Sequence, residues 1–250
     1  MPSPAPATIG LTESEAEESV VASGDCSFLN PRLSGTVRVP QAAFDRLRGN
    51  SSAATVSSPQ PIDAQNWRDG SSSAAAEQEI QIDGQTIRIV RPVDADATGK
   101  NLPTTAQIAE ALRAVPAHQR SHTSTVIVNP VAHPDSTSRR TIAGDAGSGT
   151  IFLYPVNSGQ SQNDFDNRLM HESGHNYQGS LWRSGADVAE WGAAASSDSR
   201  RPSPYAAEGY GEDFCEFNIL YIASRNTPCG EVGRQIYPHR WAKMVEYQSR

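Results

Sequence analysis

The pattern His-Glu-x-x-His, within residues 169–177, constrains this sequence more than any other feature because the segment around it is typical of a helix. Residues four positions apart lie on the same face of an α-helix, so His171 and His175 can direct two imidazole nitrogens at one metal ion. Glu172 lies beside them, where its carboxylate can accept a proton from a water that the ion has acidified. The spacing therefore predicts two zinc ligands and a general base.

The residues around the motif favour a helix. Asp164 and Asp166 fall in its predicted first turn, where carboxylates are stabilised by the helix dipole. Asn163 or Ser161 can cap it. Apolar side chains on neighbouring turns can bury the opposite face, namely Phe165, Leu169 and Met170. The alternative, a chance match to three fixed positions in an ordinary helix, stays open on the motif alone.

Composition and charge exclude two classes of protein. At 250 residues the chain can bury a substantial core, and no apolar run approaches the length of about 20 residues that a membrane span needs. The net charge of −7, without clustered Lys and Arg, argues against nucleic acid as a partner. No signal peptide is visible at the N-terminus. We therefore expect a non-classical or specialised bacterial export route, or a cytoplasmic location.

Three cysteines, Cys26, Cys215 and Cys229, are too few for a disulfide scaffold and lack the close pairing of a zinc finger. A bridge between Cys215 and Cys229 would join a helix to the turn that follows it. The interpretation that we favour is a small buried residue and a loop thiol.

The composition and the hydrophobic periodicity of the chain change near residue 75. Residues 1–75 are rich in Ser, Ala, Pro and Gly and show little periodicity, which predicts a loop-rich N-terminal extension draped over the surface. Short apolar pieces at 27–29 and 37–39 can pack on the domain of residues 76–250. A self-occluding prosegment is the alternative for this extension.

Residues 76–250 predict an α+β domain in which helices pack on one face of a small mixed sheet. Its elements, in chain order, are a β-hairpin at 79–82 and 86–90 around Asp83-Gly84, a helix from Pro103 to Pro116, a strand at 125–128, a turn through Gly144, Gly147 and Gly149, a strand at 150–154, and the helix of the motif. As an edge strand, 150–154 would hold an extended peptide; as a central strand it would be buried core. Both remain open.

A catalytic zinc usually has three protein ligands, so a further ligand must follow the motif. The extended pattern HExxHxxGxxH is excluded because Gln178 and Leu181 occupy its Gly and His positions. His239 is the one later histidine and lies in a Pro-flanked turn. The better candidates are acidic residues within 203–217, among which Glu208 is the fallback ligand.

Residues 203–217 resemble the "S-x-Y-A … E-D-F-A-E" motif of zincin metallopeptidases of the gluzincin type, whose third ligand is a glutamate. The likeness is to their lethal-factor-like branch, which is associated with bacterial toxins and effectors. The matching positions are Ser203, Tyr205, Ala206, Glu212, Asp213, Phe214 and Glu216. Cys215 stands where the family usually has Ala. The resemblance covers roughly residues 120–245.

This resemblance implies a zincin-like fold and a role for each matching residue. Glu212, 37 positions after His175, would be the third zinc ligand, and Tyr205 would help to stabilise an oxyanion. Glu216 would receive the N–H of a ligand histidine from behind. Asp213, turned about 100° around the helix, would be a cap-region acid or a further supporting group. For Tyr205 the alternative is a packed loop tyrosine.

We therefore expect a monomeric, zinc-dependent endopeptidase that uses a metal-activated water on a peptide or protein substrate. If it is a toxin or effector, a cognate inhibitor or immunity protein is a possible partner. One alternative is a binding module in which the zinc is structural, although Glu172 and Tyr205 weigh against it. Another is a zinc amidase that acts on cell-wall peptides, because a ligand set does not choose between substrates.

Overall fold

The sheet has seven strands among the residues that the computed structural model describes, which are 24–31, 35–93, 101–137, 142–156 and 159–249. The strands are β1 (Thr55–Val56), β2 (Gln60–Asn66), β3 (Ser72–Ile82), β4 (Gln85–Pro92), β5 (Thr125–Val128), β6 (Gly144–Gly147) and β7 (Thr150–Leu153). Their order is β1-β3-β4-β5-β7-β6, and β2 also pairs with β3. The β4–β5 and β5–β7 pairs are parallel and the others are antiparallel, so the sheet is mixed.

Eight α-helices accompany the sheet within the described ranges. They are α1 (Gln41–Arg48), α2 (Thr105–Ala114), α3 (Ala117–Arg120), α4 (Gln162–Leu181), α5 (Gly185–Ser197), α6 (Tyr210–Ser224), α7 (Cys229–Ile236) and α8 (Pro238–Gln248). Two 3-10 helices lie at Gly24–Leu29 and Tyr205–Ala207. In this part of the chain no helix combines the length and the apolar character needed to cross a membrane. Helices with a mixed sheet confirm the α+β class.

The predicted hairpin is present as β3 and β4. Its two-residue turn has positive φ angles, 51° at Asp83 and 77° at Gly84, as in the I′ turns that match the twist of antiparallel strands. Ile80 pairs with Ile87 in the register, and both side chains are buried. The turn residues and the alternation were therefore sufficient to predict this pair.

The two faces of the sheet bury different clusters because successive side chains of a strand point to opposite sides. Val126 and Val128 of β5 face the main core, which the helices cover. Ile127, between them, lies against a second cluster with Val90 and Trp67. The segment between β2 and β3, which contains Trp67, thus covers the outer face of the sheet.

Helix α2 also follows the sequence prediction. Thr104 caps it, and Gln107 completes a capping box by bonding back to the Thr104 backbone. Ile108 and Leu112 are fully buried on one stripe, and the helix ends before Pro116.

Residues before position 76 contribute α1, β1 and β2 to the same molecule, and the boundary predicted at residue 75 lies inside β3. Leu29, Val37 and Val39 are buried in the main core, which confirms that the two apolar pieces of the N-terminal segment pack there.

A disulfide joins Cys26 to Cys229, 203 positions apart. Cys215 is a free, buried thiol, so the bridge between Cys215 and Cys229 that we considered is wrong. The interpretation of a small buried residue is correct for Cys215. The true pair joins the two ends of the chain, and sequence spacing carries no information about that contact.

Candidate metal centre

Helix α4 carries the His-Glu-x-x-His motif and begins at Ser161, whose hydroxyl accepts a hydrogen bond from the Asp164 amide. Of the two caps considered, Ser161 is therefore the one used. Phe165, Leu169 and Met170 are buried in the core and fix the helix from behind. His171 and Glu172 are almost as buried, at 8% and 7% exposure, on the side that α6 covers.

Helix α6 crosses α4 at Gly174, between the two histidines. A Cβ at this position would lie 3.1 Å from the Cys215 sulfur and 3.4 Å from the Asn218 side-chain nitrogen. The absence of a side chain at Gly174 and the small thiol of Cys215 let the two helices approach closely. This approach brings the acidic residues of α6 next to the histidines of α4.

The carboxylate of Glu212 meets both histidines. Its Oε2 lies 3.0 Å from Nε2 of His171 and 3.4 Å from Nε2 of His175. Three ligands at bond lengths of about 2.0–2.1 Å around a tetrahedral zinc are separated by about 3.3 Å. The two separations that involve Oε2 of Glu212 are close to this value.

The outer ring nitrogens of both histidines also have partners. Nδ1 of His171 lies 3.0 Å from Oε1 of Glu216, and Nδ1 of His175 lies 3.2 Å from Oε1 of Gln178. Each acceptor favours the tautomer with its proton on Nδ1, which leaves Nε2 free to bind a metal. The partners of the two Nδ1 atoms are thus a second feature, besides the donor separations, that fits a metal site.

Glu216 is fully buried and is held by three elements. Besides His171, its carboxylate accepts hydrogen bonds from the Ser203 hydroxyl, at 2.6 Å, and from the Val37 backbone amide. The position agrees with the sequence prediction for Glu216. The contact with Val37 had no signal in the sequence because 179 positions separate the two residues.

The electrostatics of the site favour a cation. Burial works against a charged His171, but the carboxylates of Glu212 and Glu216 raise the pKa of His171 to about 10. Burial also opposes ionisation of Glu212, yet hydrogen bonds with the two imidazoles hold its pKa below the ordinary value. The donor set thus attracts positive charge.

Cys215 offers a second set of donors. Its sulfur and one ring nitrogen each of His171 and His175 lie within 4.8 Å of one another. The alternative third ligand is Glu212, whose oxygen lies 3.0 and 3.4 Å from the two Nε2 atoms. Burial also raises the pKa of the Cys215 thiol well above its ordinary value, which disfavours the thiolate that a metal would need.

Glu172 lies against the edge of the sheet. A Cβ on Gly144 of β6 would be 2.3 Å from Oε1 of Glu172, so the carboxylate occupies space that a side chain would fill at any other residue type. Burial raises the pKa of Glu172 above its ordinary value, in the direction that suits a proton acceptor working near neutral pH.

Tyr205 is close to the same centre. Its ring centroid is 5.8 Å from that of His171, at the start of the 3-10 helix that precedes α6. Glu208, the fallback ligand, lines the larger of two clefts beside the site, whereas Glu212 faces the histidines.

Asp213 lies in the first turn of α6, which agrees with the cap-region alternative, and the contacts of its carboxylate lie away from the histidines. Its carboxylate is 2% exposed and accepts hydrogen bonds from Arg240 and from the Trp191 indole. Arg240 also pairs with Asp198. The 100° turn between neighbouring helix positions directs Asp213 to the packing of α5 and α8 instead.

Two clefts of about 600 and 460 Å³ flank the site and share the residues at its centre. Both are lined by Gly144, His171, Glu172 and Tyr205. The residues of the candidate site therefore line both clefts.

The strand at the edge of the sheet is β6. The expectation that residues 150–154 could form the edge is wrong, because β7 lies between β5 and β6. Ser148 and Gly149 form the two-residue turn of this hairpin, with φ angles of 53° and 80°. In an antiparallel pair, hydrogen-bonded residue pairs alternate with pairs that are not hydrogen-bonded. The Tyr154 amide donates to the Ala143 carbonyl, which fixes this alternation along the hairpin. The backbone groups of Gly144 and Ala146 therefore point away from β7.

Sequence reasoning missed several residues that line the two clefts. Arg168 lines the larger cleft, and His133, Arg68 and Asp145 line the smaller one. Arg68 and Asp145 form an ion pair at 2.9 Å. These residues come from separate loops and strands, so no local pattern could assign them; Arg168, three positions before His171, was the one with a positional signal.

No protein-family model matches this sequence, and no curated protein matches it significantly.

Proposed function

We propose that this protein is a zinc-dependent endopeptidase with a zincin-like domain of the gluzincin type. The observation that carries the proposal is the approach of one Glu212 oxygen to both Nε2 atoms, at 3.0 and 3.4 Å, with the buried Glu172 carboxylate beside them. His171, His175 and Glu212 would hold the ion. The ion supplies a Lewis acid that acidifies a bound water and polarises the carbonyl to be attacked.

The protein's own groups account for the remaining chemistry. Glu172 accepts the proton of the attacking water and returns it to the leaving amine, so no net proton is consumed within the step. Tyr205 donates a hydrogen bond to the developing oxyanion. Glu216 and Gln178 keep the two imidazoles in the required tautomer and orientation.

The edge strand supports a peptide substrate. The outward backbone groups of Gly144 and Ala146 can pair with an extended chain, as in other cases of strand addition. Gly144 also contacts Glu172, so a peptide paired with β6 would run past the base. The two clefts that Glu172 lines leave room beside the base for a substrate chain.

The test combines metal analysis with a general casein-type protease assay on wild type, Glu172→Gln and Glu212→Ala. Wild type should hold about one zinc per chain and lose activity on chelation. Glu172→Gln should keep the zinc and lose activity by at least about 100-fold, because the base alone is removed. Glu212→Ala should lose both zinc and activity. Undiminished cleavage by Glu172→Gln would contradict the mechanism.

A structural zinc module is the second candidate, because the Cys215 sulfur could close the site with a further protein ligand. Substitution with Co²⁺ distinguishes the two, since a thiolate ligand gives a strong near-ultraviolet charge-transfer band. The peptidase proposal predicts no such band and normal metal binding by Cys215→Ala.

The disulfide between Cys26 and Cys229 supports a location outside the reducing cytosol. We therefore place the peptidase among secreted or delivered bacterial proteins, as a toxin or effector. A cognate inhibitor or immunity protein would be the partner of such an enzyme in the producing cell.

A further inference from the structure

Arg168 lies on α4 one turn before Glu172 and lines the larger cleft together with Glu172 and Tyr205. Residues four positions apart share a helix face, so the guanidinium and the base belong to the same side of α4. Apolar residues contribute to the same cleft from the facing segments, namely Val37, Ile142, Ala143 and Ile219. We call these residues, together with Arg168, the wall of the larger cleft. A substrate group beside the reacting bond would contact this wall.

Arg168 has no hydrogen bond or ion pair with any other described residue. Its electrostatic interactions are a more distant attraction to Glu172 and Asp164. Burial lowers the pKa of Arg168 to about 10, which leaves it charged at neutral pH. Burial of a guanidinium without a hydrogen-bonded carboxylate carries a desolvation cost, which only these more distant attractions offset in the described chain.

The two carboxylates that attract Arg168 have other contacts. Asp164 pairs with Arg38 and accepts the Ser161 hydroxyl at 2.8 Å. Glu172 is held against Gly144 and is attracted to the histidines. Arg168 is therefore a cation of this cleft lining without an ion pair among the described residues, although Glu208 and Glu216 line the same cleft.

We propose that Arg168 binds a carboxylate of the substrate next to the scissile bond. This inference rests on the endopeptidase function proposed above and names its substrate class, chains with an aspartate or glutamate beside the cleaved bond. The planar guanidinium can hold a carboxylate through two parallel hydrogen bonds, which a glutamine or a leucine in the substrate cannot reproduce. Because an endopeptidase cleaves within a chain, the carboxylate beside the scissile bond would be that of a side chain rather than a chain terminus.

The first experiment maps cleavage sites in a mixed peptide library by mass spectrometry and then compares matched peptides that differ as Glu, Gln or Leu at the selected position. The readout is the ratio of kcat/KM for the Glu and Gln peptides, since a general loss of activity cancels from it. Wild type should prefer Glu by roughly 10- to 100-fold, as expected for hydrogen bonds to a charged group.

Arg168→Gln should reduce that ratio to near unity while zinc content stays at the wild-type level. Arg183→Gln is the matched control, because it removes the same charge from an exposed position after α4 and should keep the preference. An unchanged ratio in Arg168→Gln, or no acidic preference in wild type, would overturn the inference.

A binding measurement separates the two sources of a carboxylate and does not need turnover. The two proteins compared are Glu172→Gln and the double variant Glu172→Gln/Arg168→Gln. Each is titrated with two labelled peptides. The first peptide has an internal Glu and an amidated C-terminus, and the second has a neutral sequence and a free C-terminus. Tighter binding of the first peptide that depends on Arg168 identifies a side-chain carboxylate. The same result with the second peptide alone identifies the chain end, and equal binding of all peptides contradicts the proposal.

Failure of this inference differs from failure of the proposed function. If zinc-loaded wild type cleaves peptides and Glu172→Gln does not, the endopeptidase stands whatever residue it prefers. If wild type cleaves nothing while the carboxylate peptide still binds through Arg168, the cleft recognises acidic chains without hydrolysing them.

Discussion

At Gly144 the backbone of β6 lies against the carboxylate of Glu172, and the position of the base depends on that contact. A Cβ there would be 2.3 Å from Oε1, 2.7 Å from Cδ and 2.8 Å from Cγ of Glu172, so the side chain would have to move. Glu172 is buried, which leaves it little room to adjust. Gly144 thus controls a catalytic group although it has no side chain of its own.

Gly144→Ala should therefore lower kcat by about 10- to 100-fold, because displacement of a base by about 1 Å costs this much. Zinc content should be normal, since the predicted ligands are untouched. Gly147→Ala, in the same strand, is the matched control because a Cβ there meets nothing within 4 Å. Equal kcat values for the two variants would contradict the argument.

At the residue scale the sequence predicted what depends on spacing along one helix. The motif indicated His171, Glu172 and His175 directly, whereas Glu212 and Glu216 needed the family resemblance as well. Their position beside the histidines reflects a crossing of α4 and α6 that spacing alone does not contain. Asp213 lies in the first turn of α6, as one of its two expected roles required. Because one position on a helix changes the side that a residue faces, its carboxylate contacts Arg240 and Trp191 instead of His171.

At the scale of elements, the β3–β4 turn is fixed by a buried arginine of α3. Arg120 is fully buried and donates to Asp83 and to the carbonyls of Leu112 and Val115. The Ser52 amide also donates to the Asp83 carboxylate, at 2.7 Å. Hydrogen bonds from Ser52 and then Arg120 lower the pKa of Asp83 to about 2 from its ordinary 3.8.

This shift predicts a pH dependence of stability. A carboxyl whose pKa is depressed by folding stabilises the protein fully above its unfolded pKa, and the contribution is lost as the pH falls from about 4 to about 2. Asp83→Asn should remove that part of the dependence while keeping the turn, because Asn accepts a positive φ.

The measurement is urea denaturation of wild type and Asp83→Asn at several pH values. The difference between their free energies of unfolding should shrink as the pH falls through this range. A constant difference would show that Asp83 does not contribute through its charge.

Elements were predictable where local signals agreed. The hairpin had both a turn dipeptide and alternation, and α2 had a capping box, an apolar stripe and a terminating proline. β2 had neither, since its side chains are largely exposed, and it was missed. The sequence predicts a turn where β6 lies, because two of its four residues are glycine. The predicted edge of the sheet is wrong for the same reason.

At the scale of the whole molecule, segments near the two ends of the described chain are joined, and one of them continues to the candidate site. Cys26 is bonded to Cys229 of α7, and the Tyr237 hydroxyl donates to the Leu29 carbonyl at 3.0 Å. Further along the same segment the Val37 amide donates to Glu216, which contacts His171. The disulfide therefore anchors a segment that also supports a predicted ligand.

Removal of the disulfide in Cys26→Ser/Cys229→Ser should lower the free energy of unfolding by about 2–5 kcal/mol, as expected for a bridge that closes a long loop. Zinc affinity should fall as well, because the segment that donates to Glu216 is less firmly held. Denaturation and zinc titration, each with and without reductant, test both effects. Reductant should not change the stability or the zinc affinity of the double variant. If reductant also leaves both quantities of the wild type unchanged, the prediction is contradicted.

The position of Glu216 has a consequence for how the protein is made. During synthesis a ribosome would release α4, with its two histidines and Glu172, well before it reaches residue 212. A chain interrupted in between carries the whole His-Glu-x-x-His motif but lacks the carboxylates that bring the imidazoles to one point. Under the proposed function, unfinished or C-terminally clipped copies would therefore lack the third zinc ligand and would be inactive.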